Sequence, residues 1–132
     1  MPQLDIVDTT FIVAPVWELR AILCDEDRWH ALGLKVTCYE DRGMQGKRWT
    51  LSGALTGTAE IWLEPAFGGV IVHSFIQADA VGRARGGRLR RRFAKPLKRW
   101  ILEVKRRHDA HRPAGSPGAV GTSMDPPIDE GE

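Results

Sequence analysis

A chain of 132 residues is long enough for one domain with its own core and too short for two comfortable ones. Its 42% hydrophobic and 27% charged residues are ordinary globular usage, which excludes a fibrous class and wholesale disorder. The net charge of +2 conceals an asymmetry: 13 of the 19 Lys and Arg residues lie between Arg83 and Arg112, opposed there only by Glu103 and Asp109, so the rest of the chain is acidic and the molecule is electrically polarised.

The longest apolar stretches, Phe11 to Val16 and Gly69 to Val72, fall far short of the ~20 residues that a membrane span requires. Met1 to Asp8 carries acids rather than a positive leader, so no secretory signal is read and a cytoplasmic location is the expectation. Cys24 and Cys38 lack metal-like spacing and are expected to be buried, inert thiols.

In chain order, Leu4 to Val13 is rich in β-branched and apolar residues and reads as a first strand. Pro15 is suited to a first helical turn, and Val16, Leu19 and Ile22 to Leu23 continue at helical spacing, which predicts a helix from about Pro15 to Cys24. Asp25 is a plausible N-cap for a second short helix through Trp29 and Leu32, ended by Gly33. Strands are then predicted at Lys35 to Glu40 and Lys47 to Ser52, with a turn over Asp41 to Gly43. Ala59 to Glu64 alternates, Ile61 and Leu63 on one face and Glu60, Trp62 and Glu64 on the other, before Pro65 and Gly68-Gly69 turn the chain. Val70 to Gln77 is the next strand; its two-sided apolar start predicts a position inside the sheet.

Leu89, Phe93, Leu97, Trp100, Ile101, Val104 and His108 recur at three- and four-residue intervals, one stripe of a long C-terminal helix. Pro96 sits inside that stripe, where it either kinks one helix or begins another; the kink is slightly favoured. One domain over 1–112 is therefore expected, followed by a disordered acidic tail over 113–132 that is rich in Pro, Gly, Ser and acids.

A strand, two short helices, an antiparallel meander and one long closing helix is the order of an α+β helix-grip fold, a curved sheet around its last helix. The residues resemble the START-like (SRPBCC) superfamily, particularly its bacterial polyketide cyclase/dehydrase and lipid-transport branch. The resemblance rests on Ile12-Val13-Ala14-Pro15 leading into Trp17, on Asp27-Arg28-Trp29, on Gly57 through Pro65, and on Gly68-Gly69-Val70. It spans roughly Leu4 to His108. Four strands are legible after the short helices where that superfamily has six, which implies a truncated sheet and a smaller hollow.

What the resemblance implies is an apolar ligand, lipid or aromatic polyketide-like, held between sheet and closing helix. The strand alternation and helical phase would line that space with Trp29, Trp49, Leu51, Ile61, Leu63, Val72, Phe93, Leu97, Trp100 and Val104; the competing reading is that these residues fill the core. A cyclase or dehydratase activity is allowed, but no residue compels it, and no cofactor is called for. His73 and His30 have no legible partner and read as structural or solvent-facing. His108 and His111, spaced i and i+3, would need two further ligands to hold a metal, and none is suggested. Gly43-Met44-Gln45-Gly46-Lys47-Arg48 lacks the spacing of a phosphate-binding loop and reads as a hairpin turn.

The alternative function lies on the outside of the last helix. Arg88, Arg90, Arg91, Arg92, Lys95, Lys98 and Arg99 could attract an anionic surface, lipid headgroups or nucleic-acid phosphates, or could be an ordinary solvated face. No aromatic residues interleave with these bases, so base-stacking recognition of nucleic acid is not expected. Oligomeric state is not legible.

Overall fold

The computed structural model describes residues 2–82 and 86–110; the acidic tail expected over 113–132 lies outside the described residues. In β1 (Leu4–Ile12), Leu4, Ile6, Thr10 and Ile12 are buried while their neighbours are more open, the period of two that a strand with one covered face must show. Pro15 keeps an extended backbone and caps α1 (Val16–Leu23), so it is not the first helical residue; its carbonyl accepts from the backbone N–H groups of Glu18 and Leu19, each at 3.2 Å. Asp25 caps α2 (Glu26–Ala31) as expected, its carboxylate accepting from the Asp27 backbone N–H at 3.0 Å.

Four strands follow: β2 (Leu34–Asp41), β3 (Gly46–Gly53), β4 (Leu55–Ala66) and β5 (Gly69–Ala80). All pairings are antiparallel, in the order β1-β5-β4-β3-β2, and form a curved open sheet. β4 and β5 are longer than their sequence patterns indicate. Pro65 does not turn the chain; it pairs with Val70 inside the hairpin, and the turn is the two residues Phe67 and Gly68. β5 lies between β1 and β4, the interior position that its two-sided apolar start requires.

The chain closes with α3 (Gly86–Leu89), a π-helical turn over Arg90–Ala94, and α4 (Lys95–Ala110). Leu89 and Lys95, on either side of the π turn, keep right-handed helical backbone, so the three pieces form one closing helix and Pro96 does not begin a new one. A proline within a helix lacks an N–H and crowds the carbonyl four residues back, and the wider π turn immediately upstream accommodates it.

The expected stripe of this helix packs against the buried sheet face: Leu89, Phe93, Leu97, Trp100, Ile101 and Val104 are all buried. Three tryptophans fill the centre, the Trp29 and Trp49 rings 5.0 Å apart and Trp100 edge-on to Trp29 at 6.0 Å. Their polar atoms are matched as buried donors must be: Trp29 Nε1 donates to the Leu23 carbonyl at 3.1 Å and Trp49 Nε1 to Glu26 Oε2 at 2.9 Å. Cys24 is buried, and burial pushes its thiol up to about 11, which makes it inert at neutral pH. Cys38 departs from expectation in being only half-buried, because it sits where the pairing of β2 with β3 becomes irregular. Among the described residues, no helix is long and apolar enough to cross a membrane.

Candidate functional site

β1 is an edge strand, so among the described residues one side of its backbone has no strand partner. The closing helix runs beside that edge and supplies donors to it. Arg90 reaches the Asp5 carbonyl at 3.3 Å, Lys98 the Thr9 carbonyl at 3.3 Å, and Lys105 the Phe11 carbonyl at 2.6 Å. Lys98 is further held by Asp8 Oδ2 and Thr10 Oγ1, both at 2.7 Å. The role of these three cations is therefore structural, since they satisfy an edge that would otherwise invite pairing with another chain.

Beside this edge a cleft of about 310 Å³ opens between helix and sheet. Ile6, Ala94 and Leu97 give it an apolar wall, while Asp5, Asp8, Ser74, Arg90 and Lys98 bring polar groups to it. Two of its residues, Arg90 and Ala94, belong to the π-helical turn, a distortion that recurs at functional sites in other proteins. A second cleft of about 320 Å³ lies where α1 and α2 meet the closing helix; Trp100 and Val104 line it, and the Arg28 guanidinium stands 5.6 Å above the Trp100 ring.

All ten residues expected to line a central hollow are buried in one apolar cluster: Trp29, Trp49, Leu51, Ile61, Leu63, Val72, Phe93, Leu97, Trp100 and Val104. Leu97 reaches the first cleft, and Trp100 and Val104 reach the second. Of the three clustered tryptophans, Trp100 alone lines one of these two clefts.

Of the seven basic residues singled out on the closing helix, Arg90 and Lys98 are engaged with β1 as above. Arg88, Arg91, Arg92, Lys95 and Arg99 are exposed, and none of them forms an ion pair with a described residue. Arg106 and Arg107 share Glu103 one turn away. The basic character of the outward face is thus only partly neutralised within the fold.

His73 has a partner that its sequence context did not disclose. Its Nε2 lies 2.9 Å from Glu64 Oε1 and its ring stacks on Trp62 at 4.0 Å, on the sheet face turned away from the closing helix. It lines neither of the two clefts. His108 is held between the Val104 carbonyl and Glu18 Oε2, each at 2.9 Å, which ties the closing helix to α1. His111 lies outside the described residues, and no group of three or more His, Cys, Asp or Glu among the described residues could hold a metal ion. Within the Gly43 to Arg48 segment, Gly43–Gln45 is a short 3₁₀ turn between β2 and β3, and Gly46, Lys47 and Arg48 already belong to β3.

Glu26 and Asp41 are the two perturbed carboxylates. The Trp49 indole N–H and nearby Lys47 hold Glu26 below the usual carboxylate range. The Gly43 backbone N–H and the Arg20 guanidinium do the same for Asp41. Both arrangements pin elements together and neither opens into the clefts just described.

No family model matches the chain, and no curated protein matches it. Among solved structures it is similar to DR_A0006 from Deinococcus radiodurans, a structural-genomics target, with a TM-score of 0.59 at 15% identity over 82% of this chain and 98% of that one. That likeness concerns the fold: a sheet closed by a C-terminal helix, shared at a sequence distance that carries no activity with it.

Proposed function

We propose that the chain binds a small amphipathic molecule in the cleft between its closing helix and β1. The observation that carries this reading is the cleft itself, an apolar wall of Ile6, Ala94 and Leu97 with polar groups converging from Ser74, Arg90 and Lys98. With Asp5, Asp8, Ser74, Arg90 and Lys98 in its lining, the cleft suits a ligand that carries a polar group beside its apolar part, and about 310 Å³ is at the low end of the usual ~300–1,000 Å³ of ligand sites, which favours a single-ring or short-chain ligand over a two-chain lipid. The reading agrees with the resemblance to START-like proteins, whose ligands lie between sheet and helix. Among the described residues, no side chain in the cleft is arranged as a nucleophile with a base, so binding is proposed without catalysis.

Native mass spectrometry of protein purified from its own host is expected to show a bound small amphipathic molecule. A thermal-shift panel of short fatty acids and aromatic acids should then identify its class. Ala94→Trp, which fills the cleft from a half-buried position, should abolish the shift while leaving the unfolding transition cooperative. Absence of any bound mass, together with no shift from any member, would count decisively against the cleft as a ligand site.

A second reading is favoured by a separate observation. Arg88, Arg91, Arg92, Lys95 and Arg99 are exposed without an ion pair to a described residue, which suits docking on an anionic surface. Retention on heparin at low salt that weakens steeply as ionic strength rises is the expected result.

A further inference from the structure

The turn between β4 and β5 places a phenylalanine where the fold has no use for one. Ala66 pairs with Gly69, leaving Phe67 and Gly68 as a two-residue loop with φ of 56° and 77°. Two successive positive φ values are the geometry of the tight hairpin turn that selects Asn-Gly or Gly-Gly, because other side chains are crowded in the left-handed region. Phe67 is the only non-glycine residue with positive φ among those described, and it is 86% exposed. It meets Phe11 edge-on, at 6.5 Å between ring centroids. A large apolar side chain held in strained backbone and turned into solvent stabilises little within the fold.

Phe11 links that ring to the basic helix. The Lys105 ammonium stands 5.9 Å from the Phe11 ring centroid, so Phe67 and Lys105 share Phe11 as a neighbour. Lys105 also lines a shallow groove of about 540 Å³ along the outward side of the closing helix, with Lys95, Arg99 and Arg106 around the exposed side chain of Leu102. Asp109 is the one acid in that lining. Through Phe11 and Lys105, a projecting aromatic tip is thus connected to a groove with an exposed leucine and a band of cations.

We propose that this surface docks on an anionic lipid bilayer, with Phe67 entering the acyl boundary and Lys95, Arg99 and Arg106 lying at the phosphates. The proposal rests on the anionic-surface reading above and names its partner. A bilayer presents apolar depth directly beneath negative charge, which matches an aromatic tip flanked by cations. A nucleic acid would draw on the cations but offers one isolated ring no series of bases along the groove, and nucleic-acid surfaces typically set several rings in line.

The test compares sedimentation with vesicles of phosphatidylcholine alone, vesicles of phosphatidylcholine with phosphatidylglycerol, and retention on heparin. The full-length chain is expected to bind only the anionic vesicles, and less so at high salt. Phe67→Asn, which suits the turn, should weaken vesicle binding about tenfold or more, as loss of a buried aromatic side chain requires, while leaving heparin retention unchanged. Lys95→Glu with Arg99→Glu should weaken both. If the wild-type chain binds neither vesicles nor heparin, the anionic-surface reading fails and this proposal with it. Equal vesicle binding by wild type and Phe67→Asn overturns the insertion of Phe67 and leaves that reading standing. Heparin binding without vesicle binding overturns the bilayer as partner.

Discussion

The two sides of the closing helix are built on opposite terms. On the inward side Leu89, Phe93, Leu97, Trp100, Ile101 and Val104 are buried, and the indole donors of Trp29 and Trp49 beneath them are matched to acceptors. On the outward side Arg88, Arg91, Lys95 and Arg99 stand in solvent without an ion pair to a described residue, with Leu102 exposed among the cations. The first side has the close complementarity that stability demands. The second has features that stability does not require, and its Lys105 stands over Phe11, the ring neighbour of Phe67, whose backbone works against the fold. Between them, along the β1 edge, Arg90, Lys98 and Lys105 show that a basic residue in the same cluster can be structural.

The contrast can be broken most directly at the tryptophans. Trp49→Ala or Trp29→Ala should destabilise the chain by about 3–5 kcal/mol in denaturant unfolding, the usual loss for a large buried aromatic. A loss below about 1 kcal/mol would mean that the inward side encloses a hollow rather than a meshed core. A smaller effect of opposite sign is expected at the hairpin tip. Phe67→Asn should raise stability by about 1 kcal/mol, since asparagine tolerates the left-handed backbone better than phenylalanine. Destabilisation by that change would make the Phe11 contact structural and remove the contrast at its sharpest point.

The smallest effect is a pH dependence of the inward side. Glu26 is held below its usual range in the folded state, chiefly by the Trp49 indole, so it binds its proton more readily when unfolded. Its stabilisation is present above the ordinary carboxylate range and is lost as the pH falls through the lowered folded value. Glu26→Gln should therefore flatten the acid limb of a stability-versus-pH curve. An unchanged limb would place the acid sensitivity elsewhere, with Asp41 as the next candidate because Gly43 and Arg20 lower it in the same sense.

Much of the architecture was legible because periodicity reports burial directly. The alternation of Ile61 and Leu63 against Glu60, Trp62 and Glu64 matched the burial found in β4, and the seven-residue stripe from Leu89 to His108 marked the inward side of the closing helix. The count of four strands after the short helices also agreed. Strand ends were less legible: Pro65 and Gly68-Gly69 suggested an early turn, but paired backbone carries β4 on to Ala66. The candidate sites were legible only in part. Leu97, expected to line a hollow between sheet and helix, reaches the cleft beside β1, whereas Ser74, Asp5 and Asp8 were not expected at a site, because nothing local says which strand edge the last helix will follow. Phe67 carried a usable signal, a bulky residue directly before Gly68-Gly69 at a hairpin turn.

Taken alone, the order of residues determined the element sequence, the buried stripe and the concentration of positive charge, because each follows from spacing along the chain. Only the folded arrangement decided which cations guard the β1 edge and which face solvent, and that the tryptophans meet at the centre. It also brought Phe67 and Lys105 to the same neighbour, Phe11. Those outcomes depend on contacts between segments far apart in sequence, and the strand pairing that brings them together is a property of the whole sheet.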